Sequence, residues 1–413
     1  MPASETTALL SNGNGSIPPT FAHRVKTLIA AEGEPSWMVS YRYFLFGSYL
    51  NLFLLFIPLS LIAHYMNLDA ALRFSFSFIA IIPLAKLLGE ATDQMSAKLG
   101  QTLAGLLNAS FGNAVEIIVG IAALLQDELR IVQTSMLGSI LSNLLLVLGC
   151  SFLAAGFKYK ESNFQVTAAQ ASSSLMTLAC ITLVIPAAYR STMLDDDHAG
   201  NNLARLWANT DPDEQQLHGL LIISRGTALL LLGVYVAYLT FQLKTHSYLF
   251  EVEEQEAEAP KMSVISAGVA LLATTVVTSF CADILVGSIE ETAERYDIPK
   301  PFIGLILLPI VANAAEHVTS VWMAMKGQME LTIGICVGSS IQIATFVIPL
   351  LVIVGWISGH GLTLFFANFE TITLFVSVFL VNTLIQDGKS NYMEGLMLLT
   401  LYCVIALAFW VTE

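Results

Sequence analysis

Gly112-Asn113-Ala114-Val115-Glu116 returns 200 residues later as Ala312-Asn313-Ala314-Ala315-Glu316, each time inside a long apolar segment. The offset persists further on, because Gly138-Ser139 falls on Gly338-Ser339. A glutamate at the centre of a membrane helix costs roughly 2.5–3.5 kcal/mol on insertion scales. Two such acids at matched positions of two half-chains predict one site built from both halves.

The composition puts that site in a membrane. Of 413 residues, 55% are apolar and only 12% charged, with a mean hydropathy of +0.70, whereas soluble domains carry about 25% charged residues. The apolar residues come in blocks of about 20, the length that crosses roughly 30 Å of hydrocarbon. We count about eleven spans: 43–66, 70–97, 102–125, 131–157, 164–189, 217–243, 263–293, 301–325, 330–357, 363–386 and 390–411. The fold class expected is therefore an all-α polytopic membrane protein. Residues 1–36 are polar and show no signal-peptide apolar core. Cys150, Cys180, Cys281, Cys336 and Cys403 share no metal-type spacing and read as free thiols in apolar segments. The net charge of −14 argues against a nucleic-acid partner.

Glu116 lies in the third span and Glu316 in the eighth, so an odd number of crossings separates them and the copies enter the membrane with opposite polarity. This is the inverted-repeat plan of secondary transporters, with the substrate near the midplane where the halves meet. The organisation expected is a polar tail 1–42, an extra helix 43–66, a first five-helix repeat 67–243, an acidic linker 244–262 and a second repeat 263–413. A polar loop, 190–216, interrupts the first repeat and contains Asp195-Asp196-Asp197. Placing the N-terminus in the cytosol puts ten Lys and Arg inside against seven outside, with Lys86 in a span. Within the tail, Glu5-Thr6-Thr7-Ala8-Leu9-Leu10 resembles an acidic dileucine signal for vacuoles and lysosomes.

The candidate ligands are oxygens. Asn113 and Glu116 are three residues apart, on one helical face, and Asn313 and Glu316 repeat the arrangement. Ser135, Ser139 and Ser142 form a polar stripe on the fourth span, repeated in part by Ser339 and Gln342 on the ninth. Gly112 and Pro309 loosen the helices before the motifs and free backbone carbonyls. Two carboxylates with amides, hydroxyls and carbonyls suit a hard divalent cation, calcium above all, which takes 6–8 oxygens; manganese is also permitted. When the metal leaves, two carboxylates crowded in a low-dielectric site repel each other and attract protons. Metal and protons then compete for the same oxygens, and competition at a site shown alternately to each side is antiport. His317, beside Glu316, is placed to relay a proton.

Gly112-Asn113-Ala114-Val115-Glu116 and Ala312-Asn313-Ala314-Ala315-Glu316-His317, each followed by a Gly-Ser helix, resemble the paired signature regions of the calcium/proton exchanger family. That family belongs to the calcium/cation antiporter superfamily, and the likeness is to its fungal vacuolar members over roughly residues 40–411. The resemblance implies that Glu116 and Glu316 carry metal and protons, that Asn113, Asn313, Ser139, Ser339 and Gln342 line the site, and that Gly112 and Ala312 supply carbonyls. It makes Asp93 on the second span, and Glu290 as its counterpart on the seventh, candidates for the ion or proton path. It also assigns Glu251, Glu253, Glu254, Glu256 and Glu258 to a cytosolic acidic helix that regulates transport. The function expected is exchange of cytosolic Ca2+ for protons of an acidic compartment, with the second and seventh spans sliding and no cofactor. A sodium-driven calcium exchanger and a cation channel are the alternatives. A membrane protease or an ATP-driven pump lacks its motifs.

Overall fold

Lipid leaves unpaired backbone groups without partners, so each apolar segment satisfies its own hydrogen bonds as helix. The computed structural model describes residues 35–97, 101–198, 212–249 and 260–411. Among these, seven helices are long and apolar enough to cross a membrane, and nine if each of two bent pairs counts as one. The third and tenth expected spans contain shorter apolar helices, Ala114–Leu125 and Asn368–Leu384. The chain is all-α and polytopic, with helix at every expected position. The dileucine-like stretch Glu5–Leu10 and the acidic run with Glu251, Glu253, Glu254, Glu256 and Glu258 lie outside the described residues.

Three expectations need correction. The first span is not straight: Trp37–Phe46 turns through 87° into Tyr49–Tyr65. The Asn51 amide holds that corner by donating to the Phe44 and Leu45 carbonyls at 2.8 and 3.0 Å, which have no partner further along the ended helix. The polar loop at 190–216 is shorter than expected, because the fifth helix runs from Val166 on to His198, through Asp195–Asp197, and the sixth begins at Pro212. The third and eighth segments are each two helices. Gln101–Phe111 gives way to Ala114–Leu125, and Lys300–Ala312 bends by 58° into Ala314–Met325.

The breaks fall at the repeated asparagines. Asn113 (φ −106°, ψ 32°) and Asn313 (φ −87°, ψ 16°) each start a helix of 12 residues. This bridge conformation is sparsely populated and recurs in functional sites. The repeat continues in the next segments: Leu129–Leu141 and Met329–Gln342 run into π-helical turns at Ser142–Val147 and Ile343–Val347, then into Leu148–Gly156 and Ile348–Ser358. The second and seventh helices, Ala70–Ser96 and Val264–Gly287, pack along each other.

Side-chain ties sort the loops onto two faces. On the near face, which carries Trp37–Phe46, Ser162–Asn163 pairs antiparallel with Lys389–Ser390, Lys158 Nζ donates to the Met325 carbonyl at 3.0 Å, and the Gln94 amide oxygen accepts from the Lys261 and Met262 backbone. On the far face Arg73 pairs with Glu291, Arg295 with Asp69 and Arg130 with Glu370.

Candidate ion-binding site

Glu116 and Glu316 each stand in the first turn of a helix that begins inside the membrane. A helix N-terminus favours negative charge, while the broken helix before it ends in free carbonyls. The same break therefore holds an anionic ligand and offers oxygens to a cation. Glu116 is 1% exposed. Glu316 is half-buried, with its Oε2 fully enclosed. Ala312, four residues before Glu316, lines the same small cavity as Glu116.

Each asparagine reaches across to the serine-bearing helix of the other repeat. Asn113 Nδ2 donates to Gln342 Oε1 at 2.5 Å, and Ser339 Oγ donates to Asn113 Oδ1 at 3.1 Å. Asn313 Nδ2 approaches the Ser139 carbonyl at 3.5 Å. A further amide, not anticipated, joins them: Asn143 Nδ2 donates to Ser339 Oγ at 3.0 Å. Asn143 lies four residues after Ser139, on the same helical face, and that spacing is the signal that could have found it. It escapes the repeat argument because its counterpart is Ile343.

Four buried side-chain oxygens around these groups have no hydrogen-bond partner: Glu116 Oε1, Glu316 Oε2, Asn143 Oδ1 and Asn313 Oδ1. Unpaired buried acceptors are costly, and together they match the donor set of a hard cation. Among the described residues no three of His, Cys, Asp or Glu gather at one point. A cation held here would thus meet two carboxylates and neutral amides rather than an acidic cage.

Between Glu116, Ser135, Ser139 and Ala312 lies a cavity of about 10 Å³, walled by Ile81 of the second helix and Leu285 of the seventh. That is near the least volume for one water. Ser135 and Ser139 of the serine stripe thus share a cavity with Glu116, whereas Ser142 does not line it. Gly112 is exposed on the near side of the same break, and its N–H donates to the Asn108 carbonyl at 2.7 Å.

Of the other candidates, His317 is bonded to a residue of this group, whereas Asp93 and Glu290 are exposed. His317 Nδ1 sits 3.1 Å from the Asn313 carbonyl, so Nδ1 carries the hydrogen. Asp93 is exposed near the end of Ala70–Ser96. Glu290 is exposed on the far face and binds Lys300 Nζ at 2.6 Å. In register, Glu290 matches Glu90 rather than Asp93, and Glu90 is likewise held by a lysine, Lys86, at 3.4 Å.

This arrangement has relatives. Residues 69–244 and 266–411 match the family model described as sodium/calcium exchanger protein. The vacuolar calcium ion transporter of Schizosaccharomyces pombe is 47% identical over 369 residues, covering 89% of this chain and 85% of that protein. The Ca2+/H+ antiporter of Aphanothece halophytica is 40% identical, covering 86% and 95%. Among solved structures, native YfkE superposes with a TM-score of 0.71 at 32% identity, covering 87% of this chain and 100% of that one. The fold is also that of the H+/Ca2+ exchanger CAX, with a TM-score of 0.60 at 13% identity over 88% and 91% of the two chains. The chain belongs to the sodium/calcium exchanger protein family, and within it to the calcium/proton exchangers.

Proposed function

We propose that this protein is a secondary antiporter that moves Ca2+ out of the cytosol in exchange for protons, with Glu116 and Glu316 binding metal and protons competitively. The observation that carries this reading is the set of unpartnered buried oxygens on Glu116, Glu316, Asn143 and Asn313 where the two repeats meet. The names of the S. pombe transporter and the A. halophytica antiporter support calcium as cargo and protons as counter-ion. The vacuolar relatives support an acidic compartment as the destination. Manganese fits the same oxygen donors.

Matched glycines support alternating access. A Cβ on Gly138 would lie 2.2 Å from the Leu305 carbonyl oxygen, so the fourth and eighth segments touch on the far side of the site. A Cβ on Gly338, the same position in the other repeat, would meet nothing within 4 Å. Gly304 against Thr134 is similarly tight, whereas Gly334, the counterpart of Thr134, is open. One of two equivalent gaps is shut and the other open, the difference expected of a transporter caught facing one side. With the N-terminus in the cytosol, the open side is cytosolic.

In the cycle, Ca2+ arriving from the open face loses water to the carboxylates and amide oxygens. The second and seventh helices, whose Ile81 and Leu285 wall the far side of the site, shift and open the lumen. Protons from the lumen neutralise the acids, which release Ca2+, and the protonated site returns without stranding bare charge in the bilayer. The experiment is Ca2+ uptake into proteoliposomes under an imposed pH gradient. Uptake should collapse with a protonophore and in Glu116→Gln and Glu316→Gln, with both variants still in the membrane. Retained uptake in both would remove the assignment, and uptake driven by a sodium gradient would favour the sodium-coupled alternative.

A further inference from the structure

Beyond Glu116 the third segment carries no polar side chain until Gln126, because residues 117–125 are all Ile, Val, Leu, Ala or Gly. Glu116, Val119, Ala123 and Gln126 are three, four and three residues apart, so they follow one helical face from the site toward the far side. At about 1.5 Å per residue, the ten residues from Glu116 to Gln126 span ~15 Å. Val119, on this face, lines the small cavity beside Glu116. At the far end of the face Gln126 Nε2 donates to the Asp283 carboxylate at 2.7 Å and to the Asp283 carbonyl at 3.2 Å. Asp283 belongs to Val264–Gly287, the seventh helix, whose Leu285 walls the same cavity. A Cβ on Gly287, one turn on from Asp283, would lie 3.2 Å from Gln126 Oε1, so the amide rests tight against that helix.

The charge of Asp283 sets it apart from its neighbours. Asp69, Glu290, Glu291 and Glu370 on the same face are each held by an Arg or a Lys. Asp283 is exposed, and among the described residues its carboxylate meets only the neutral Gln126 amide. An amide at this position would tie the third helix to the seventh equally well. Unpaired acids within spans are rare, and they mark ion paths. The repeat does not require this one, since the residues matched to Asp283 and Gln126 are Pro83 and Lys326, and Lys326 Nζ lies over the Trp322 ring at 5.4 Å.

We propose that Asp283, positioned by Gln126, is an outer station of the transport path on the far face, the carboxylate that a hydrated divalent cation meets between Glu116 and the lumen. This rests on the exchanger reading above. While the far side is shut, Gln126 holds the carboxylate against the third helix. When the seventh helix shifts, that contact opens and the carboxylate oxygens take the departing ion. The station lies outside the central site, so it acts on exchange of the ion with the lumen and not on capture from the cytosol. By microscopic reversibility it serves release in the forward direction and entry in reverse.

The test compares the two faces of the full chain in proteoliposomes. Vesicles captured through a tag on the N-terminus present the near face outward, and the remainder present the far face. Initial Ca2+ exchange is measured with Ca2+ offered outside, for wild type, Asp283→Asn and Asp283→Glu, with Asp283→Ser as a second neutral variant should Asp283→Asn fail to fold. From the far face the KM for Ca2+ should rise about three- to tenfold in Asp283→Asn and stay near wild type in Asp283→Glu. From the near face it should not rise. A far-face KM that does not move, or one raised equally on both faces, would overturn the proposal. If wild-type vesicles show no proton-coupled exchange from either face, the exchanger reading fails instead. Tb3+ binding to far-face-out vesicles of Glu116→Gln combined with Glu316→Gln then decides for Asp283: weaker binding on adding Asp283→Asn supports the station, and equal binding refutes it.

Discussion

Arg130 and Glu370 join the two repeats on the far face: Nη1 donates to Oε2 at 3.0 Å, and Nη2 binds the second carboxylate oxygen. Glu370 is 1% exposed and also accepts from the Ala367 N–H, so the pair closes the start of Asn368–Leu384 as well as the mouth beside it. Removing one partner of a buried pair costs about 3–5 kcal/mol. The guanidinium is 42% exposed, which places Arg130→Gln at the low end of that range. Its melting temperature in detergent should fall by several degrees, and Arg130→Gln combined with Glu370→Gln should recover part of the loss. An unshifted melt would show that the pair does not clamp the face.

The matched glycines should respond differently to one methyl group. Gly138→Ala forces its Cβ onto the Leu305 carbonyl and the Pro309 ring, an overpacking worth about 1–3 kcal/mol. Gly338→Ala meets open space, so it should melt like wild type yet turn over more slowly, because that gap closes in the opposite state. Equal melts for the two variants would contradict the asymmetry. In a variant lacking the native cysteines, Ala104→Cys with Gly334→Cys should cross-link only when the far side opens. These positions match Gly304 and Thr134, which already touch across the shut gap.

Asn143 offers a test of the site beyond the repeated motif. Asn143→Ala removes one free oxygen and the donor to Ser339 Oγ, which in turn supports Asn113. The expected result is a KM for Ca2+ raised about tenfold or more, as for other supporting ligands of metal sites, with expression unchanged. A normal KM would confine Asn143 to packing.

Glu290→Gln, by contrast, should change little. Its partner Lys300 is exposed, and exposed ion pairs are worth about 0–1 kcal/mol. Proton-coupled uptake within about twofold of wild type is expected. A loss as deep as that of Glu116→Gln would return Glu290 to the proton path.

Much of this was legible without coordinates. Glutamates inside apolar segments announce themselves because lipid tolerates them so poorly, and the 200-residue offset pairs them. The asparagines were equally visible as neighbours on the same helical turn. Asn143 was not, since its partner Ser339 lies almost 200 residues away and no repeat points to it. The corner at Gly47–Ser48 was hidden by apolar residues on both sides of it, and hydropathy has no direction. The Lys300 partner of Glu290 was hidden as well, because the pair forms between two short helices whose approach no local pattern encodes.

By itself, then, the sequence determined the membrane class, the stretches that are helical and the motif repeated at a 200-residue offset, because each follows from local composition and fixed spacing. Only the tertiary structure decided which amide meets which hydroxyl across the halves, and which of two equivalent gaps is open. Those depend on how helices distant in the chain lean on one another. The two repeats are alike in pattern, so sequence symmetry cannot choose between states that differ only by exchanging their roles.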